Sequence, residues 1–174
     1  MTEAGSGYNR RPMHTILVIF FRWLHIFSAC VAIGGVFFAR VVLPLGLKVL
    51  EPEARHAAFL KMRRGFKMVI HPCMLCLIVS GVYNSMANWG IYHQIPEQAH
   101  PFWGTHVLLA LGIFTVAIYM LAGKEPPVNH ARWAVVNLIL MALAVVTAGA
   151  LKYVRDNRPR PVVMPVAADL SHVE

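Results

Sequence analysis

The chain contains apolar runs long enough to cross a bilayer, and the first of them, Phe21 to Leu43 (FRWLHIFSACVAIGGVFFARVVL), places an arginine and a histidine within its length. An ionisable side chain at the centre of a bilayer costs at least ~2.5 kcal/mol on insertion scales, so such residues face a bundle interior, snorkel to an interface or serve a site. What Arg22 and His25 face therefore governs what this chain can be.

The rest of the composition agrees with a membrane setting. Hydrophobic residues make up 57% of the 174 residues and charged residues only 14%, with a mean hydropathy of +0.56. Soluble domains carry about 25% charged residues. At ~20 apolar residues per crossing, four spans with short connections nearly use up the chain. The spacing predicts an all-α, polytopic four-helix bundle with spans near 15–39, 68–89, 103–122 and 131–153. A flexible tail over 1–14 and a proline-rich tail over 154–174 flank it. No cleavable leader is expected before Pro44.

Apart from Arg22, charge sits almost entirely beside the spans rather than in them. The net charge of +8 comes from 16 Lys and Arg against 8 Asp and Glu. Their placement fits lipid headgroups and argues against nucleic acid as a partner. Seven basic residues fall on the side of the termini (Arg10, Arg11, Arg22, Lys152, Arg155, Arg158, Arg160). Nine fall on the other (Arg40, Lys48, Arg55, Lys61, Arg63, Arg64, Lys67, Lys124, Arg132). That margin of two points to a cytoplasmic first connection.

Within that connection, Glu51-Pro52-Glu53 has the form of a helix start. Phe59, Met62 and Phe66 then recur at spacings of three and four, opposite basic residues. Two readings stand side by side: an amphipathic interfacial helix leading into the second span, or an extension of that span with a solvated basic face.

Two constellations carry candidate chemistry. The string HPCMLC supplies His71, Cys73, Met74 and Cys76, all competent ligands for a soft ion such as Cu(I). On a helix Cys73 and Cys76 share a face, whereas His71 points ~200° away from Cys73, so these donors do not converge. Ser80, Asn84 and Asn88 continue the cysteine face, which is expected to turn inward.

The second constellation is a pair of histidines. His25 and His106 lie in the same half of the membrane, whereas His71 and His130 belong to the other. Imidazoles from two facing helices can hold a haem iron, with Arg22 available to a propionate. The plain alternative for His25 is a buried histidine bonded to a backbone carbonyl or to Asn84. For His106 it is an ordinary interfacial histidine. On the third span, Trp103, His106, Ala110, Ile113 and Ala117 share one side and Thr105, Gly112, Thr115 and Tyr119 another. Periodicity does not choose between them. The fourth span places Asn137, Met141, Ala144 and Ala148 on one side.

The string RWLHIFSACVAIGGVFFAR resembles the first helix of HemJ-type membrane proteins and of the related CopD-like copper resistance domains. RRGFKMVIHPCM is similar to the basic run and proline at the family's second helix, and WGTHVLLAL to its Trp-initiated third helix. Asn137 stands where the fourth helix has an asparagine. The likeness runs from about residue 15 to 153. It implies a four-helix protein of the bacterial inner membrane that binds haem b and oxidises protoporphyrinogen IX. His25 matches the helix-one histidine, and Arg22 occupies the place of the family's lysine before it. Val107 stands where the family has a third-helix lysine, with His106 one residue away.

The expectations are therefore a haem b redox protein acting on a porphyrin or passing electrons to quinone, with His25, His106, Arg22 and Asn137 around the cofactor. A CopD-like copper protein using His71, Cys73, Met74 and Cys76 is the alternative, and a non-catalytic membrane subunit a further one. Assembly as a homo-oligomer or within a larger membrane complex is left open.

Overall fold

The computed structural model describes residues 10–123 and 126–157. Helix α1 spans Arg10–Phe37, continues through a π-helical turn at Phe38–Val42 and ends in the short helix α2, Leu43–Leu47. Helices α3 (Pro52–Tyr92), α4 (Pro96–Leu121) and α5 (His130–Asp156) complete the chain. All four crossings, Met13–Leu47 and helices α3, α4 and α5, are long and apolar enough to span a bilayer. The protein is an all-α, multi-pass bundle. Phe27, Leu75, Leu108 and Val146 are each between 62% and 70% exposed, as suits helices that face lipid.

The bundle is built from two antiparallel hairpins. One pairs α1 with α3, and the other pairs α4 with α5, with thinner contact between the hairpins. Phe21 stacks on Tyr83 with ring centroids 4.2 Å apart, and Asn84 Nδ2 donates to the Phe21 carbonyl at 3.4 Å. Further along, α1 and α3 close to the point where a Cβ on Gly35 would lie 2.6 Å from Phe66 Cε2. Gly35 is thus the residue that admits the Phe66 ring. A core of Ala32, Val36, Ile70 and Met141, joined by Phe66, Leu77, Ile113 and Leu138, links α1, α3, α4 and α5.

The segment from Pro52 to Tyr92 is a single helix, so the basic connection is an extension of the second span rather than a separate interfacial helix. Glu51 stands at its N-cap position, with Pro52 in the first turn and Glu53 at the positive end of the dipole. Pro72 lies inside it without ending it. Arg55 donates to the carbonyls of Leu47, Lys48 and Leu50, fixing the corner between α2 and α3.

Basic residues of α3 also close the far end of α4. Arg63 donates to the carbonyls of Met120, Ala122 and Gly123, and Lys67 Nζ to Gly123 at 2.8 Å. These are the carbonyls a helix C-terminus leaves without partners. Gly123 itself has φ 71°, the left-handed conformation that glycine takes at low cost.

The expected tails overlap the helices at both ends. Helix α1 begins at Arg10 and α5 runs to Asp156, while residues 1–9 and 158–174 lie outside the described residues. Helix α4 starts at Pro96, about two turns before Trp103, with Pro96 and Glu97 at its N-terminus.

Candidate functional site

Each hairpin holds one of the two histidines against its own partner helix. His25, on α1, faces α3, where its Nδ1 lies 2.9 Å from Ser80 Oγ. Ser80 is completely buried. Its hydroxyl donates back to the Cys76 carbonyl, as serine commonly does inside a helix. A hydroxyl has one proton, so the Ser80 oxygen receives the His25 Nδ1–H. Asn84, one turn along α3, bonds instead to the Phe21 carbonyl.

His106, on α4, repeats the arrangement against α5. Its Nδ1 lies 3.0 Å from the Ala144 carbonyl and 3.2 Å from Thr147 Oγ1. Thr147 also donates to the Ala144 carbonyl at 3.0 Å. A carbonyl can only accept, so Nδ1 of His106 carries the ring proton.

Both imidazoles are thus fixed in the tautomer that leaves the Nε2 lone pair open. The two rings come close enough to interact electrostatically across the seam between the hairpins. A histidine with Nδ1 tied to an oxygen and Nε2 open is the usual form of a metal-ligating imidazole.

The face of α4 that carries His106 is the inward one: Ala117 is buried, whereas Thr105, Thr115 and Tyr119 are exposed. On α5 the inward face holds Ala134, Asn137, Met141 and Ala144, and then passes to Thr147 rather than to the exposed Ala148.

Arg22 lies one turn from His25 and is exposed. Tyr92, at the end of α3, feels the charges of both Arg155 and Arg22. Arg155 reaches Asn88 Oδ1 with Nη1 at 3.3 Å and pairs with Asp156 at 3.0 Å. Asn88 Nδ2 donates to the Asn84 carbonyl at 2.7 Å. Ser80, Asn84, Asn88 and Tyr92 therefore form a polar line at helical spacing, from the His25 anchor to a membrane end bearing two guanidinium groups. The sequence placed Arg155 only among the basic residues on the side of the termini, and gave neither Tyr92 nor Thr147 a part in the site. The only signal for Thr147 was its place three residues after Ala144.

Asn137 is 1% exposed and its Oδ1 has no hydrogen-bond partner. It lies two turns from Ala144, about 10 Å along α5.

The candidate copper ligands do not gather. His71 is exposed and its Nδ1 lies 2.6 Å from the Lys67 carbonyl of its own helix. Cys73 and Cys76 are half-buried neighbours on α3, and Met74 lies off their face. Among the described residues no group of three or more His, Cys, Asp or Glu side chains is placed to hold a metal ion.

Four apolar crossings arranged as two hairpins define an integral, multi-pass membrane protein. No family model, no curated protein and no solved structure matches the chain.

Proposed function

We propose that this is a haem b-binding membrane redox protein, with His25 and His106 as the iron ligands. The observation that carries the reading is the shared anchoring of the two rings: Nδ1 donates to Ser80 in one hairpin and to Ala144 and Thr147 in the other. The donor set fits a haem iron, which takes histidine nitrogens oriented by a hydrogen bond on the far side of the ring. Arg22 lies one turn from His25 and suits a propionate.

When bound, haem supplies one-electron chemistry. The chain holds the two rings in one tautomer, excludes water from Ser80 and sets positive charge at the membrane end of α3. The absence of a lysine at Val107 separates this chain from the HemJ-type pattern it resembles. The proposed activity is accordingly electron transfer with a quinone or porphyrin partner, with protoporphyrinogen oxidation as the more specific form of it. The bacterial inner membrane is the proposed location.

The test is the reduced-minus-oxidised visible spectrum of the protein purified in detergent, with metal analysis, for wild type, His25→Ala and His106→Ala. A haem b signal in wild type that is lost in both variants is the expected result. Colourless protein carrying copper would transfer the function to the copper reading. Colourless, metal-free protein would leave a non-catalytic membrane subunit.

A further inference from the structure

At the end of the bundle opposite Arg22 and Tyr92, the π-helical turn Phe38–Val42 meets the first turns of α5. Between them lies an open groove of about 350 Å³ lined by Arg40, Ala131, Arg132, Val135 and Val136. The geometry points to this groove as a binding site for one anionic phospholipid, independent of any cofactor at His25 and His106.

The order of its walls matches the order of groups along a lipid. Arg132 lies in the first turn of α5 and is exposed. Val135 and Val136, one turn deeper into the membrane, are exposed by 40% and 39%. A headgroup at the arginines therefore leads directly to acyl chains on the valines. The volume is at the lower end of the ~300–1,000 Å³ typical of small-molecule sites, enough for a phosphate and glycerol with the tails continuing outside.

Charge selects the headgroup. Arg40 commits its Nε–H to the Ala131 carbonyl at 3.3 Å, while its terminal nitrogens make no hydrogen bond to the described residues. Neither Arg40 nor Arg132 forms an ion pair with a described residue. The first turn of α5 has no acidic side chain and no side-chain cap, so its positive dipole end adds to the same field. A guanidinium with free terminal donors suits a phosphate diester, which accepts paired hydrogen bonds.

The π-helical turn explains why this arginine is available. One extra residue in the turn rotates the downstream helix relative to a continuous α-helix, and such turns recur at functional positions. Here the turn carries Arg40 to the Ala131 carbonyl.

The experiment is native mass spectrometry of the full chain released from nanodiscs of phosphatidylcholine containing phosphatidylglycerol. Wild type is expected to retain phosphatidylglycerol in preference to phosphatidylcholine. Arg132→Gln, which removes no hydrogen bond of the structure, should reduce that preference about fivefold, the size expected for one basic residue at a lipid surface. Val136→Trp should reduce it by filling the groove without altering charge. Arg64→Gln, an exposed arginine on α3 outside the groove, should leave it unchanged. Equal retention of the two lipids by wild type would overturn the site. So would an effect of Arg64→Gln as large as that of Arg132→Gln, because binding would then follow diffuse charge.

Discussion

Ser80 Oγ accepts the Nδ1–H of His25 at 2.9 Å while donating its own hydrogen bond to the Cys76 carbonyl, so one hydroxyl fixes both the ring and its tautomer. Ser80→Ala removes this side-chain acceptor and leaves the Leu77 carbonyl as the ring's remaining partner, at a cost of about 1 kcal/mol. The midpoint of thermal unfolding in detergent should fall, and the haem signal should weaken or shift. An unchanged midpoint and spectrum would remove Ser80 from this role.

Thr147→Val should be milder. His106 keeps the Ala144 carbonyl at 3.0 Å when the hydroxyl is lost, so the expected cost is below about 1 kcal/mol. Unfolding midpoints of Thr147→Val and Ser80→Ala, measured in the same detergent, give the comparison. A larger loss at Thr147 would show that the hydroxyl, not the carbonyl, anchors His106.

Gly35→Ala should destabilise the first hairpin. Its new methyl group would meet the Phe66 ring at 2.6 Å, and overpacking of this kind typically costs about 1–3 kcal/mol. Phe66→Leu in the same chain should restore part of the loss, which a double-mutant cycle on unfolding midpoints reads directly. Strict additivity of the two substitutions would contradict the contact.

Arg63→Gln should loosen the last turn of α4, where the guanidinium serves three carbonyls. Lys67→Gln should do less, because Lys67 serves one. Hydrogen exchange across Met120–Gly123 should quicken in that order. Equal exchange in both variants would assign the closing of this helix end to something other than Arg63.

Asn137→Leu replaces a buried side chain whose Oδ1 has no partner with an apolar one of similar size. Stability should be maintained or rise by about 1 kcal/mol, since an unsatisfied buried acceptor is removed. Pigment yield, measured alongside, reads whether Asn137 also meets the cofactor: an unchanged yield confines it to the helix interface. Loss of pigment with an intact fold would return Asn137 to the cofactor.

The number of spans and the inward faces of α3 and α5 were largely legible in the sequence, because long apolar runs and helical periodicity act within one helix. Ser80, Asn84 and Asn88 fell on the expected inner face for that reason. The two faces of α4 were not separable, since Thr105, Thr115 and Tyr119 are polar enough to suit a bundle interior yet sit exposed. The partners of His25 and His106 were equally hidden. They depend on the register between helices, which no single-helix period records. Continuity of α3 was not legible either, because the same basic, amphipathic pattern suits an interfacial helix and an extended span.

That continuity has a mechanical consequence. One rod carries Arg63 against the end of α4, Phe66 under Gly35, Ser80 under His25 and Asn88 under Arg155. The two surfaces of the membrane are therefore joined by one continuous helix that passes His25 on its way. Pro72, which lacks the N–H for one hydrogen bond of the helix, stands between the arginine-rich end and the His25 anchor, so any bend of this rod is expected there.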